Sequence, residues 1–306
     1  MNNAVSMPDE LRNVVRGKII EGAPMSRYTT IKVGGPADML FVPADEADLM
    51  AALKIAERER LPYQVLGAGS DLIVRDGGIE GLTVLLRGTM DDVEIEGESI
   101  KCGAGAILPK LARMAAQEGL TGLEWAASIP GTVGGAVVGN AGAFGSDMAG
   151  VLAEARIRLP GGKVETRNKE SIEFSYRSSN ISPGAVALSA VLKLEKGDGS
   201  KIEKRMKDMT EKRKSTQPLH EPSAGSIFRN PPGENAGRII DSMGLKGKRL
   251  GGAMISKVHA NFIVNLGDAT AADVIGLMNQ VCDEVRNVHN IELEPEVRII
   301  GREVAP

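Results

Sequence analysis

The sequence predicts an α+β fold, because strand-like segments outnumber the helical segments that would have to alternate with them. Apolar patterns typical of strands recur at residues 37–43, 62–67, 71–74, 81–86, 93–97 and 186–195. Most consecutive pairs of these segments have only turn residues between them, so a regularly wound β-α-β sheet is not expected. The composition shifts to charged residues from Lys201 to Lys214, and a second, smaller α/β domain is expected to follow.

Helices are predicted where apolar residues recur with helical spacing beside capping residues. The further predicted elements are, in order, a helix from Asp45 to Arg60, a helix around Leu108 that ends at Gly119, a charged helix at 201–214, a short helix at 235–243, a strand at 261–267, and a helix after the capping pair Thr270 and Asp273. The charged helix is predicted to be a solvated link into the second domain, because charge runs usually face water.

Length and composition indicate a soluble protein of two domains. The chain has 306 residues, of which 42% are hydrophobic and 25% charged, and its formal net charge is −3. This charge gives no reason to expect a nucleic acid partner. No window approaches the apolar length of a membrane span, and the N-terminus lacks the pattern of a signal peptide. We therefore expect a cytoplasmic protein with no membrane insertion and no obligatory protein partner.

The cysteines and histidines do not indicate a metal or redox site. Cys102 and Cys282 are far apart and match no ligand spacing, so both are predicted to be buried free thiols. The three histidines, His220, His259 and His289, are widely separated in the sequence. No metal is expected.

Familiar phosphate-binding motifs are absent, but one turn has suitable chemistry. The stretch GAGAIL at 103–108 begins like a dinucleotide-binding fingerprint and lacks its last glycine. In contrast, VLGAGSDLIV at 65–74 has a tight glycine turn between two strand-like runs, and such a turn can direct several backbone N–H groups at one phosphate. Taken alone, this pattern is more typical of a plain turn than of a phosphate site.

A second glycine-rich stretch, SIPGTVGGAVVGNAGAFG at 128–145, strengthens the phosphate hypothesis. Its glycines disfavour both helix and strand, and its apolar residues are not those of a linker. We interpret it as buried backbone lying against something other than protein. The N–H groups of Gly131, Thr132, Gly134 and Gly135 are expected to reach the same anion as the first loop.

Six ordered segments resemble the UDP-N-acetylenolpyruvoylglucosamine reductase family of bacterial flavoproteins. The segments are GAGSDLIVRDGGIEG, GLEWAASIPGTVGGAVVGNAGAFG, FSYRSSNI, SAGSIFRNPP, SKVHANFIVNLGDATAADV and LEPEVRIIG, and they extend over about residues 26–301. The resemblance implies an FAD-binding domain of the vanillyl-alcohol-oxidase (PCMH) type, followed by a C-terminal α/β substrate-binding domain.

The implied domains are continuous in sequence. Residues 1–32 form an N-terminal helix and lead-in, 33–197 the FAD-binding domain, and 198–306 the C-terminal domain. The last strand, carrying Glu296, is expected to pack back on the FAD-binding domain.

The resemblance implies that FAD lies in the two glycine-rich loops. The expected cofactor-binding residues are Gly67, Ala68, Gly69, Ser70, Asp71, Ser128, Ile129, Gly131, Thr132, Gly135, Asn140 and Ala143. The first loop has no His or Cys, so the flavin is expected to be non-covalent. NADPH is the expected hydride donor.

The implied reaction reduces the enolpyruvyl ether of UDP-N-acetylglucosamine-enolpyruvate to UDP-N-acetylmuramate, a step of peptidoglycan synthesis. Hydride passes through N5 of FAD to C3, and the expected catalytic residues are Arg177, Ser226 and Glu296. Arg177 would stabilise the charge that develops on the carboxylate, and Ser226 would protonate C2. Glu296 is either protonated and a hydrogen-bond donor, or positions Arg177 and the proton donor.

Substrate contacts are expected at Tyr176, Arg177, Asn230, Lys257 and His259, with Arg229 as a further phosphate neighbour. The region after Arg177 is too short for the inserted lid fold of some family members, so the chain resembles the shorter group. Two alternatives remain: a related FAD-dependent oxidase, and a non-catalytic protein that binds nucleotide sugars. The joint presence of the three catalytic residues argues against both.

Overall fold

The computed structural model describes residues 8–304, and within them the chain forms eight α-helices and twenty strands. The helices are α1 Asp9–Val14, α2 Glu46–Arg58, α3 Leu108–Gln117, α4 Val133–Gly139, α5 Met148–Val151, α6 Gly199–Thr216, α7 Ala236–Ser242 and α8 Ala271–His289. The strands are β1 Lys18–Pro24, β2 Pro36–Val42, β3 Tyr63–Leu66, β4 Leu72–Val74, β5 Ile79–Leu85, β6 Val93–Glu96, β7 Ser99–Gly103, β8 Leu120–Thr121, β9 Gly142–Ala143, β10 Ser146–Asp147, β11 Leu152–Arg158, β12 Val164–Asn168, β13 Phe174–Ser175, β14 Ser178–Ser179, β15 Val186–Lys193, β16 Glu195–Lys196, β17 Arg249–Leu250, β18 Ala253–Ile255, β19 Ile263–Asn265 and β20 Arg298–Ile300.

The chain divides into two compact units that interleave in sequence. Among the described residues, the first unit comprises 8–21, 39–68 and 81–212, and the second comprises 22–38, 69–80 and 213–304. These units differ from the continuous domains that the sequence predicts.

Hydrogen bonds inside the second unit explain the difference. β20 pairs in parallel with β4, and the Asn265 side chain donates to the Ile31 carbonyl at 3.0 Å. The Asp76 carboxylate accepts from the first amides of α8, Ala271 and Ala272, both at 2.8 Å. Two early segments, 22–38 and 69–80, therefore belong with the C-terminal residues.

The first unit is built on two sheets. One is a five-stranded antiparallel sheet in the order β12-β11-β15-β7-β6, and the other has the order β1-β2-β5-β3, with β3 and β5 parallel. Apolar residues of α3 and α4 pack with the first sheet in one core cluster, which includes the buried Trp125. The unit boundaries fall within β1, β2 and β5.

Local capping signals in the sequence are confirmed. Asp45 caps α2 by accepting from the Asp48 amide at 2.9 Å. Gly119 has a φ of 67° just after α3, where glycine is the favoured residue. Thr270 and Asp273 form the reciprocal capping box of α8.

The prediction that the stretch 128–145 avoids helical structure is wrong, because residues 133–139 form α4. Thr132 caps this helix, and Val133, Ala136 and Val137 are buried in the core. A Cβ at Gly134 would lie only 2.9 Å from the Ala104 Cβ, so a glycine allows this close approach. Tertiary packing outweighs the unfavourable helix propensity of the glycines.

The second unit contains a three-stranded sheet, β17-β18-β19, against which α7 and α8 contribute a shared apolar core. The last strand pairs with β4, which lies in the sequence range predicted for the FAD-binding domain but belongs to this second unit. Glu296 lies two residues before β20 rather than on it. The charged segment forms α6, of which Ile202 is the buried residue.

Both cysteines are free thiols, but they differ in burial. Cys102 is buried, which raises the pKa of its thiol to about 12, whereas Cys282 is only half-buried, contrary to prediction. In the described part of the chain, none of the helices combines the length and hydropathy that crossing a membrane requires. Among residues 8–304, no three His, Cys, Asp or Glu side chains are grouped as a metal site requires.

Candidate active site

The two glycine-rich loops meet in the first unit. A Cβ built on Gly67 would lie 2.4 Å from the Thr132 Oγ1, so only glycine permits this contact without displacement. Both residues were predicted to bind the cofactor. The structure therefore brings together the loop after β3 and the loop before α4.

The second loop presents fewer backbone donors than predicted. The Val133 amide donates to the Ala106 carbonyl and the Gly134 amide to the Ala104 carbonyl, both at 2.9 Å. Gly134 is thus not an anion-binding donor, since its N–H group is used in packing. Within the described residues, the amides of Gly131 and Thr132 donate to no protein acceptor.

An exposed glycine adjoins these amides. Gly135 lies on the exposed face of α4, and a Cβ there would contact only the Thr132 Oγ1, at 3.7 Å. The protein fold alone does not require a glycine at this position. An exposed glycine beside two N–H groups without a protein acceptor, those of Gly131 and Thr132, fits the diphosphate of a dinucleotide cofactor such as FAD.

The first loop continues into the second unit beyond Ala68. Gly69 has a φ of 62°, and a Cβ there would lie 2.3 Å from the Tyr28 carbonyl oxygen. Ser70 is half-buried. Asp71 is exposed to solvent. Neither His nor Cys lies in this loop, so these residues fit a non-covalently held cofactor.

Three other predicted cofactor residues flank the second loop. Ser128 ends a 3₁₀ turn, and the Ile129 amide donates to the Ala126 carbonyl at 3.1 Å. Ala143 lies on β9 and pairs with Ser146. Their contacts with FAD stay a prediction.

The side-chain amide of Asn140 forms hydrogen bonds with protein atoms. The side chain is buried and donates to the Asp147 carboxylate and to the Ser175 carbonyl, while its oxygen accepts from the Ala149 amide. All these partners are protein atoms. The predicted contact between Asn140 and FAD stays a prediction.

Arg177 occupies a strained position at the tip of a hairpin. β13 and β14 pair with Ser175 opposite Ser178, which leaves Tyr176 and Arg177 as a two-residue turn. Arg177 has a φ of 56°, a conformation that favours glycine or asparagine. Its guanidinium carbon lies 5.2 Å from the centre of the exposed Tyr176 ring, within cation–π range.

Ser226 and Glu296 lie on adjacent backbone segments of the second unit. The Glu296 amide donates to the carbonyl of Ile227, the residue after Ser226, at 2.7 Å. Phe228 and Pro295 form a bridge one residue further on. Both candidate catalytic side chains are half-buried. The second unit thus places two of the predicted catalytic residues on paired backbone segments, and Arg177 belongs to the first unit.

Asn261 is a residue that the sequence analysis missed. It is buried, and its side chain both accepts from the Phe228 amide, at 3.0 Å, and donates to the Phe228 carbonyl, at 2.8 Å. Its own carbonyl accepts from the Ile227 amide at 2.9 Å. These three bonds fix the backbone just after Ser226. An asparagine inside the HANF segment carries no periodic signal that would have identified it.

The predicted substrate-binding residues of the second unit differ in their exposure and in their hydrogen bonds. The Asn230 side-chain oxygen accepts from the Ala236 amide at 3.1 Å, so it also organises the start of α7. The Arg229 amide donates to the Glu294 carbonyl at 2.9 Å. Lys257 is exposed. His259 accepts from the Asn261 amide, and burial, with Lys246 as a lesser cause, lowers the pKa of its imidazole.

Comparisons with known proteins define the class. The family model described as "FAD binding domain" matches residues 37–167, and the solved alkyldihydroxyacetonephosphate synthase has the same fold, with a TM-score of 0.50 at 13% identity over 64% of this chain and 42% of its own. The protein is an FAD-dependent oxidoreductase with a PCMH-type FAD-binding domain.

The family follows from nearly the whole chain. The model described as "UDP-N-acetylenolpyruvoylglucosamine reductase, C-terminal domain" matches residues 217–300. UDP-N-acetylenolpyruvoylglucosamine reductase 2 of Symbiobacterium thermophilum is 44% identical over 96% of this chain and 97% of its own, and the reductase of Bacillus subtilis is 43% identical over 95% and 97%. The solved reductase from Thermus caldophilus has a TM-score of 0.80 at 38% identity, over 93% and 99%. The chain belongs to the UDP-N-acetylenolpyruvoylglucosamine reductase family.

The shorter-group prediction agrees with the elements found after Arg177. Between Arg177 and α6, the chain forms only the strands β14, β15 and β16. No inserted fold occurs in this described segment.

Proposed function

We propose that this protein reduces UDP-N-acetylglucosamine-enolpyruvate to UDP-N-acetylmuramate with NADPH, as a step of peptidoglycan precursor synthesis. The main support is the adjacency of Ser226 and Glu296 on paired backbone segments, in a chain that belongs to the reductase family over nearly its full length. We further propose that the enzyme works in the cytoplasm without an obligatory protein partner.

Bound FAD would supply the redox chemistry, accepting a hydride from NADPH and donating one from N5 to C3 of the substrate. Gly67, Gly131, Thr132 and Gly135 would hold the cofactor through backbone approach. The protein's own residues would position the substrate, stabilise the negative charge that develops on it, and donate the proton to C2.

Arg177 is proposed to stabilise the substrate carboxylate. Addition of a hydride at C3 leaves negative charge spread from C2 onto the carboxylate, and a planar guanidinium can bind both carboxylate oxygens. Arg177 has a backbone conformation that favours glycine, and this strain supports a functional role for its side chain.

Ser226 is proposed to donate a proton to C2. A serine hydroxyl is a weak acid, so it acts here on a strongly basic carbon and needs its proton restored. Glu296, on the neighbouring segment, is proposed to position the proton donor or to share a proton with it.

The test uses the purified full-length protein under anaerobic conditions. Bound flavin should lose its visible absorbance when NADPH is added and regain it when UDP-N-acetylglucosamine-enolpyruvate follows. UDP-N-acetylglucosamine, which lacks the enolpyruvyl group, is the matched control and should restore nothing. Flavin that only oxygen can reoxidise would indicate an oxidase. A protein purified without flavin that binds the nucleotide sugar would indicate a non-catalytic binding protein.

A further inference from the structure

The Asn140 side chain joins three separate segments of the first unit. Its Nδ2 donates to the Asp147 Oδ2 at 3.1 Å and to the Ser175 carbonyl at 3.0 Å, and its Oδ1 accepts from the Ala149 amide at 3.0 Å. The residue is 3% exposed and ends α4 with a φ of 44°. The asparagine itself is buried, whereas its partners Asp147 and Ala149 are half-buried and Ser175 is exposed.

The chemistry of the partners requires an amide here. A carboxylate and a carbonyl can only accept hydrogen bonds, and a backbone N–H can only donate, so the orientation of the Asn140 amide is fixed by its three partners. Aspartate has the same shape but would place an oxygen against both acceptors. Because the Asn140 amide is buried, an aspartate oxygen in its place would be held against these two acceptors.

Ser175 is the residue just before the turn that carries Arg177. The other strand of the same hairpin is held by the Ser179 hydroxyl, which donates to the Val138 carbonyl at 2.7 Å. Both strands are therefore tied to the C-terminal end of α4. These bonds help to hold Arg177 in a left-handed conformation that is unfavourable for residues other than glycine.

We propose that Asn140 is the positioning residue for Arg177. It fixes the hairpin to the end of the glycine-rich helix α4, so that the guanidinium keeps one place relative to the loop residues Gly131 to Gly135. This inference rests on the proposed function for the role of Arg177 in the reaction. The hydrogen bonds themselves are independent of that role, which allows separate tests.

The variant Asn140→Gly removes the side chain and keeps the backbone conformation, because glycine readily adopts positive φ. Asn290→Gly is the matched control: Asn290 also ends a helix, α8, with a φ of 53°, and its side chain is exposed. Any general effect of an Asn-to-Gly change at a left-handed helix end should appear in both variants.

In Asn140→Gly, we expect reoxidation of reduced flavin by the enolpyruvyl substrate to slow about 10–100-fold, since a misplacement of about 1 Å can have such an effect. Flavin reduction by NADPH should stay within a few-fold of the unmodified enzyme. Asn290→Gly should leave both steps unchanged. Equal slowing of both steps in Asn140→Gly would overturn the proposal.

A second readout does not depend on activity. Without its tie to Asn140, the hairpin should exchange its amide hydrogens faster across residues 172–182, and trypsin should cut faster after Arg177. Both changes should occur with or without substrate and be absent in Asn290→Gly. Unchanged exchange and cleavage in Asn140→Gly would overturn the proposal even if turnover falls.

A double variant separates the hairpin from the neighbouring turn and also serves if Asn140→Gly does not fold. Asn140→Asp with Asp147→Asn reverses the bond between these residues, and asparagine remains a good cap for α5. In this double variant, a carboxylate oxygen at position 140 still faces the Ser175 carbonyl, so that hydrogen bond is not restored. The double variant should therefore keep the defect in exchange and in substrate reduction. Recovery of both would show that Asn140 only holds the 140–150 turn.

Failure of the proposed function gives a different result. An unmodified enzyme that does not reduce the enolpyruvyl substrate contradicts the proposed function. The exchange and cleavage measurements would still decide whether Asn140 holds the hairpin of Arg177.

Discussion

Ser226 is the residue whose replacement should separate the two halves of the proposed reaction. Its backbone is fixed by Asn261 through Phe228, and by the bond between Glu296 and Ile227. Removing only the hydroxyl should leave these bonds unchanged. An effect of Ser226→Ala can therefore be assigned to chemistry rather than to loss of the loop.

In Ser226→Ala, we expect substrate-dependent reoxidation of flavin to slow about 10²–10⁴-fold, the usual contribution of a general acid. Reduction by NADPH needs no proton at C2 and should run at close to the normal rate. Ser226→Cys should recover part of the loss, because a thiol is more acidic than a hydroxyl. Stopped-flow measurement of both steps tests this. Equal slowing of both, or equal behaviour of Ala and Cys, would contradict the assignment of a proton donor.

Gly135 tests the placement of the cofactor. Gly135→Val should yield a folded protein with little bound flavin, because the new side chain would occupy the space where the cofactor is expected. Gly150 provides the control: it is also exposed, is the third residue of its helix α5, and its Cβ would lie 3.7 Å from the capping oxygen of Asp147. Gly150→Val should keep full flavin content. Full flavin content in Gly135→Val would contradict the placement.

At the scale of elements, the sequence correctly predicted the helix ends that are determined by side chains close by in the chain. The caps of α2 and α8 and the end of α3 follow from side chains within a few residues of each helix end. Helix α4 was missed because its stability comes from distant residues that bury it. β12 was missed too: every second residue faces solvent, and its sequence, VETRN, has one apolar residue.

The candidate site shows the same division between features set by the local sequence and features set by distant residues. The glycine loops were recognisable from composition, since bare backbone has few other uses. The structural roles of Asn140 and Asn261 were not recognised: Asn140 was named only as a cofactor-binding residue and Asn261 not at all, because a buried asparagine that joins distant segments resembles a turn residue in sequence. Their roles depend on which segments the fold brings together.

Two ion pairs between α2 and β11 allow a comparison of buried and exposed charge. Glu57 pairs with Arg158, whose side chain is 1% exposed, and Glu46 pairs with Arg156, which is 42% exposed. Glu57→Gln should destabilise the protein by about 3–5 kcal/mol, because it leaves a buried guanidinium uncompensated. Glu46→Gln should change stability by at most about 1 kcal/mol. Urea unfolding measures both, and equal effects would contradict this account.

The same pair predicts a pH dependence. The hydrogen bond from Arg158 lowers the pKa of the Glu57 carboxyl below its ordinary 4.5. A lowered folded-state pKa stabilises the protein above the unfolded value, and this stabilisation is lost as the pH falls through the folded value. The difference in unfolding free energy between the unmodified protein and Glu57→Gln should therefore shrink below about pH 4.5. A constant difference from pH 7 to pH 3 would contradict the pairing.

At the scale of the whole molecule, the chain passes several times from one unit to the other. The chain changes unit after residues 21, 38, 68, 80 and 212. Strands β1, β2 and β5 each contain residues of both units. Because these strands are continuous across the unit boundaries, we expect unfolding of one unit to disturb the other.

The two thiols can report this coupling, because each lies in a different unit. Cys102 belongs to the buried core of the first unit, where its raised pKa and burial should make it unreactive until that unit unfolds. Cys282 lies on α8 of the second unit and is half-buried. Labelling with a thiol reagent across a urea series, read by mass spectrometry, should give coincident transitions for the two sites. The variant Cys282→Ser assigns the Cys102 signal independently, and two well-separated transitions would show that the units unfold separately.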